Sequence, residues 1–221
     1  MKPKVLVITP VHHIKGVRET LESFAEITYL DDPSLQEAIE VIENFDVVFT
    51  NPNKSKVFIG SELINAAKKL KVICTASTGT NHINKAHLAE HSIDLLSLTE
   101  ERKIINMISS TAEHALALTM SSLRNIPSSH ESVLLGEWDY ENFIGRQVNE
   151  LTIGVVGYGR LGSKFSSYAL ALGSKVLVYD PYKNATDESI LQEKSLESIF
   201  KKSDIVSLHI HVNEETTSLI D

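Results

Sequence analysis

Short apolar, β-branched runs alternate along the first part of the chain with stretches in which apolar residues recur at helical spacing. The runs are Val5 to Thr9, Ile27 to Leu30, Val47 to Thr50, Val72 to Thr75 and Ile93 to Leu96. Between them lie Gly16 to Ala25, Pro33 to Asn44, Ser61 to Leu70 and Lys85 to His91. A strand that is apolar throughout needs cover on both faces, so this alternation predicts a parallel sheet with helices on each side. Pro33 suits a first helical turn, and Ser61 stands where it would cap a helix carrying Leu63, Ile64, Ala67 and Leu70. This first stretch reads as one α/β unit.

The pattern then changes. Ser110-Thr111-Ala112-Glu113 has the form of a capping box, in which a serine covers an orphan amide and a glutamate reaches back. It predicts a helix that is apolar or small on several sides, through Ala115, Leu116, Leu118 and Leu123, and that Pro127 ends. A helix with so little charge reads as buried between domains. Residues 128–148 are mixed and polar, contain Gly136, Trp138, Tyr140, Phe143 and Gly145, and read as a structured excursion, not a flexible linker. Alternation resumes with Leu151 to Val156, Leu161 to Leu172, Lys175 to Tyr179, Leu196 to Lys202 and Asp204 to Ile210.

Composition narrows the function classes. With 29 acidic and 21 basic residues, a net charge of -8 and no long basic run, nucleic acid and anionic membrane are excluded as main partners. No apolar stretch is long enough to span a bilayer, and Met1-Lys2-Pro3-Lys4 leads into a strand without a signal-peptide core. The lone Cys74 excludes a disulfide framework and a cysteine zinc ribbon, and it sits in an apolar run. The expectation is a cytoplasmic protein that binds a small ligand.

The strand Thr152 to Val156 runs directly into Gly157-Tyr158-Gly159-Arg160-Leu161-Gly162 and then a helix, which is G-x-G-x-x-G in its required setting. Gly157 permits a tight turn, Gly159 lets backbone amides approach a pyrophosphate, and Gly162 lets the helix pack closely. The helix N-terminus favours the negative charge. A second strand, Lys175 to Tyr179, ends in Asp180, 18 residues beyond Gly162. A carboxylate there accepts ribose hydroxyls and repels a 2'-phosphate, which points to NAD over NADP.

Four segments together resemble the NAD-dependent D-isomer-specific 2-hydroxyacid dehydrogenases, most nearly their phosphoglycerate dehydrogenase branch. They are Lys71-Val72-Ile73 with Ser77 to Asn84, Ser110 to Leu118, the glycine loop through Asp180-Pro181-Tyr182, and Ser203 to His209. The resemblance implies an α/β fold with a flavodoxin-like substrate domain, residues 1–105. It implies a Rossmann NAD-binding domain with an interdomain helix over residues 106–221, the latter incomplete. It implies an oxidoreductase acting with NAD on the CH–OH group of a small 2-hydroxy acid, and a homodimer. Thr78 and Gly79 correspond to the loop whose amides hold the substrate carboxylate; by composition alone the same residues read as a strand-to-helix turn. Thr111 is implied at the nicotinamide end, Arg160 and Leu161 at the pyrophosphate through their backbone, and His209 and Thr216 on the adenine side. Where the family has a proline two residues after that histidine, this chain has His211.

Other positions stay open. His12 and His13 follow the first strand, and Asn51 and Asn53 the third; they read either as turn residues or as substrate-binding groups at the carboxyl edge of the sheet, Asn53 foremost. His209 and His211 alternate on a strand but lack a third suitably spaced ligand, so no metal is expected. His114 reads as a packing or hydrogen-bonding residue, not a base. Hydride transfer also needs a group to polarise the keto oxygen and an acid to protonate it. The family's arginine, glutamate and histidine belong to segments that follow the position of Leu219-Ile220-Asp221, so no catalytic residue is expected within this chain. The expectation is a C-terminally truncated chain. Its alternative is a catalytically incomplete NAD-binding or interaction module derived from the same family.

Overall fold

The computed structural model describes residues 2–220; Met1 and Asp221, the outer limits of the two expected domains, lie outside the described residues. Backbone proximity divides the chain into two compact units, Met1–Ile105 and Asn106–Asp221.

In the first unit, β1 (Lys4–Val7), α1 (Val17–Phe24), β2 (Glu26–Tyr29), α2 (Leu35–Ile42), β3 (Val47–Thr50), α3 (Ser61–Ala66), β4 (Val72–Thr75), α4 (Lys85–Glu90) and β5 (Asp94–Ser97) follow one another. The strands form one parallel sheet in the order β2-β1-β3-β4-β5, the flavodoxin-like order. The continuous apolar runs have a direct cause. Along β1 and the residue that follows it, Leu6 and Ile8 enter one core with Val48, Leu63 and Ile73, while Val5 and Val7 enter another with Val11 and Ala25. Each fully buried Leu or Ile contributes about 1.5–3 kcal/mol, and successive residues of a strand deliver it to opposite faces.

The helix α5 (Arg102–Met107) straddles the division. The second unit holds α6 (Ser110–Leu123), α7 (Ile126–Leu134), β6 (Thr152–Val156), α8 (Arg160–Ala171), β7 (Lys175–Tyr179), β8 (Ile190–Gln192), α9 (Leu196–Lys202) and β9 (Ile205–Leu208). Its sheet is parallel in the order β8-β7-β6-β9, which matches the first four strands of a Rossmann sheet. Ile153, Val155, Val176 and Val178 pack on Phe165 and Ala169 of α8, with Ala112, Ala115 and Leu116 of α6 on the same cluster. Val156 and Leu177 pack on Ile199 of α9 on the other face. Gly154 lies under α9, where a Cβ would stand 2.4 Å from Ser203 Oγ and 2.7 Å from Ile199 Cγ2.

Several expected boundaries are corrected. The cap of α6 is Ser109, not Ser110, and its hydroxyl donates to the Glu113 carboxylate while its carbonyl accepts from the amides of Ala112 and Glu113. Ser110 is itself helical, so the expected capping box is absent. Within its unit only Ala112 of this helix is buried, and Leu118 is 57% exposed. Ser61 is likewise inside its helix and Gly60 is the cap, its carbonyl accepting from Ile64. Pro33 lies outside α2, which starts with a true capping box between Ser34 and Glu37. Pro127 does not simply end α6. That helix stops at Leu123, Asn125 adopts a left-handed φ of 51°, and Pro127 opens α7, which takes the first residues of the excursion.

Candidate functional site

The glycine loop is fixed from three sides. The Gly157 amide donates to the Tyr179 carbonyl at 2.8 Å, so β6 and β7 diverge at a tied point. Gly157 has φ of 89°, the left-handed region, and its missing side chain makes room for the His209 carbonyl, 2.7 Å from where a Cβ would stand. At Gly162 a Cβ would lie 1.9 Å from the Gly157 carbonyl oxygen. The first turn of α8 is therefore seated on the loop itself. Gly159 differs from both: it caps α8 with an ordinary φ of -75°, and a Cβ there would meet no atom within 4 Å. Clear space above the first turn of a helix is the cradle that an anionic group fills.

Asp180 does more than the sequence indicated. One carboxylate oxygen accepts from the Tyr158 amide at 2.7 Å; the other accepts from the amides of Tyr182 at 2.8 Å and Lys183 at 3.0 Å. It thus holds the glycine loop to the end of β7. A carboxylate has roughly four acceptor sites, so about one remains for a ribose hydroxyl rather than two. Arg160 donates to the Ile108 carbonyl at 2.7 Å and so ties the start of α8 to the start of α6, where Thr111 lies exposed in the first turn. Leu161 is half-buried in the same turn of α8.

His209 is half-buried, its Nε2 bonded to Ser207 Oγ at 2.9 Å and its ring 5.1 Å from that of Phe165. Burial lowers its pKa. Thr216 is engaged in a turn: its hydroxyl donates to the His211 carbonyl and accepts from the Asn213 amide at 2.9 Å. Tyr182 donates to Glu215 at 2.7 Å, which joins the loop after β7 to that turn. Asp180, His209 and Thr216 therefore sit on connected loops at one end of the sheet.

In the first unit, the turn after β4 carries Thr78 and Gly79, both partly exposed; at Gly79 a Cβ would meet no atom within 4 Å. Asn51 accepts from the Asn53 amide at 3.0 Å, a side-chain turn that accounts for Asn51, while Asn53 itself is exposed. His12 and His13 are exposed, with His12 Nδ1 3.9 Å from Asp31. Sequence reasoning missed Thr9 and Thr50, buried at the carboxyl edge with no partner for either hydroxyl among the described residues. The available signal was a threonine closing an otherwise apolar strand run. Among the described residues, His87, Glu90 and His91 have possible ligand atoms within 4.8 Å of one another, but His87 is already bonded to Glu90 at 2.9 Å and to Asn65 at 3.1 Å. We assign no metal there.

A parallel strand feeding a glycine turn, a helix whose N-terminus faces clear space and an acidic residue closing the next strand define a dinucleotide-binding α/β protein. Residues 116–221, most of the second unit, match the family described as D-isomer specific 2-hydroxyacid dehydrogenase, NAD binding domain. It is 30% identical over 220 residues to D-3-phosphoglycerate dehydrogenase of Synechocystis sp., covering 99% of this chain and 38% of that protein. It is 30% identical over 185 residues to hydroxypyruvate reductase of Thermotoga maritima, covering 84% of this chain and 58% of that protein. Among solved structures, D-lactate dehydrogenase from Aquifex aeolicus, complexed with NAD and lactic acid, aligns with a TM-score of 0.77 at 26% identity, over 96% of this chain and 62% of that one. The chain thus spans less than two thirds of the length of each of these relatives.

Proposed function

We propose that the second unit binds NAD and that the chain contributes cofactor and carboxylate recognition to a dehydrogenase acting on the CH–OH group of a small 2-hydroxy acid. The observation that carries this reading is the open cradle at Gly159 beside the Asp180 carboxylate, within residues that match the NAD-binding family. The amides of the first turn of α8 hold the pyrophosphate, with Gly157 and Gly162 shaping the loop and Arg160 and Leu161 contributing backbone. Asp180 accepts from the adenosine ribose, His209 and Thr216 flank the adenine, and Thr111 lines the nicotinamide end. When bound, NAD supplies the ring carbon that takes or gives the hydride. In the first unit the Thr78-Gly79 turn anchors the substrate carboxylate through neutral amides, with Asn53 at the same edge. The acid–base and keto-polarising roles are assigned to no residue of this chain.

Among the described residues no helix is long and apolar enough to cross a membrane. Burial raises the pKa of the Cys74 thiol, which keeps it inert and suits a cytoplasmic setting. We further propose a homodimer through the second unit. Trp138 and Tyr140, 92% and 78% exposed, line a groove of about 440 Å³ with Val133 and Phe143 and with the polar Ser129, Ser132, Glu137 and Asp139, and Leu134 and Leu135 on the same segment are 73% and 78% exposed. Exposed apolar side chains of that kind fit a second copy of the same surface.

Titration calorimetry with NAD and NADP tests the cofactor assignment. Wild type is expected to bind NAD more tightly, and Asp180→Ala to weaken NAD and narrow its advantage over NADP. Because Asp180 also holds the loop, the informative quantity is the ratio of the two affinities. An unchanged ratio removes the ribose assignment.

A further inference from the structure

In a trans peptide the carbonyl and the following N–H point in opposite directions, so a carbonyl held against the protein turns the next amide outward. Two successive carbonyls are held in this way after β4. Thr99 Oγ1 donates to the Thr78 carbonyl at 3.0 Å, and Ser77 Oγ donates to the Gly79 carbonyl at 2.7 Å. The amides of Gly79 and Thr80 follow those carbonyls, and among the described residues nothing accepts from either.

Strand register sets the two hydroxyls. The last residues of β3, β4 and β5 are Thr50, Thr75 and Ser97, which stand side by side. Ser97 Oγ accepts from the Thr99 amide at 3.4 Å, and Thr75 Oγ1 lies 2.8 Å from Ser77 Oγ and 3.1 Å from His82 Nε2. The proton order follows from counting donors. Ser77 places its single proton on the Gly79 carbonyl, so Thr75 donates to Ser77; Thr75 then has no proton left, so His82 donates to it and carries its hydrogen on Nε2.

We propose that Ser77 and Thr99 are positioning residues that aim the Gly79 and Thr80 amides at the carboxylate of a small 2-keto or 2-hydroxy acid, with the His82–Thr75 pair fixing the direction of Ser77. The inference rests on reading the Thr78-Gly79 turn as the carboxylate anchor. Two adjacent amides match the two oxygens of one carboxylate without a lysine, and the clear space at Gly79 is where the anion sits. Burial lowers the His82 pKa, so the ring is neutral near pH 7, and Nε2 keeps its proton in either charge state of this relay.

The test is amide NMR of the full chain with pyruvate as probe and oxidised NAD present, so that no reduction occurs. Pyruvate is expected to shift the Gly79 and Thr80 amides saturably. Thr99→Val and Ser77→Ala should weaken it about three- to tenfold, the range of one lost hydrogen bond, and Thr99→Ser should restore it. The thermal midpoint is expected to stay close to that of wild type. If wild type binds and both variants bind equally well, the positioning role is wrong and the anchor stands. If neither amide shifts in wild type, the anchor reading fails and takes this inference with it. Imidazole nitrogen spectra give an independent check: hydrogen on Nδ1 of His82 overturns the relay whatever the binding result.

Discussion

Gly159 and Gly162 are three residues apart in one motif, yet a methyl group would have opposite consequences at the two positions. At Gly162 it collides with the Gly157 carbonyl, so Gly162→Ala is expected to cost about 1–3 kcal/mol or more of stability. At Gly159 it meets nothing and φ is ordinary, so Gly159→Ala should keep or slightly raise the thermal midpoint while lowering NAD affinity at least about tenfold. Parallel melting and calorimetry separate the outcomes; a Gly159→Ala protein that binds NAD normally removes the cradle from the site. The histidines define a pH dependence at the same scale. Burial lowers the pKa of His82 in the first unit and His209 in the second, so both are neutral when folded at pH values where an unfolded imidazole takes up a proton. The unfolded state then binds more protons, and stability falls as pH drops below the ordinary imidazole value of 6.5. Urea midpoints measured downward from pH 7.5 are expected to show this decline, and replacing His209 with Gln should flatten part of it.

Each unit ties the start of its first strand with an aspartate that precedes a neighbouring strand. Asp46, before β3, accepts from the Lys4 amide at 3.0 Å, and Asp204, before β9, accepts from the Thr152 amide at 2.9 Å and from Arg146 at 2.7 Å. The Asp204 pKa is lowered, first by the backbone bond and then by Arg146. Its contribution is present above the unfolded carboxyl value of 3.8 and is lost as pH falls through the depressed folded value. Asp204→Asn, with one acceptor oxygen in place of two, should lower the thermal midpoint at pH 7 and converge with wild type in acid. A constant gap at all pH values would mean that the carboxylate charge plays no part. The resemblance between the two clamps was not visible as a repeat, because the surrounding segments share little beyond an aspartate before an apolar run. Helix ends were also poorly legible: a run of hydroxyl residues such as Ser109, Ser110 and Thr111 offers neighbouring caps, and backbone geometry chose the first. The strand β8 was missed because Leu191 and Gln192 are exposed and leave no apolar run.

At the scale of the molecule, the exposed face around Trp138 carries the prediction of assembly. Light scattering of wild type should give the mass of two chains, and Trp138→Glu or Leu135→Glu should shift it to one; a monomeric wild type removes the dimer. The parallel, doubly covered character of the sheets was largely determined by the sequence, and their strand orders were not. Apolar runs on parallel strands require two covered faces, and the glycine spacing with Asp180 requires a loop, a helix and a second strand in that order. The motif assigned Gly159 to ligand approach and Gly162 to helix packing, but what lies opposite each missing side chain, clear space at one and the Gly157 carbonyl at the other, was decided only by tertiary structure. The same holds for Asp180, whose acceptor sites are mostly taken by the loop it supports, and for Ser77 and Thr99. Those hydroxyls come from the ends of separate strands, and only register brings them to successive carbonyls of one turn.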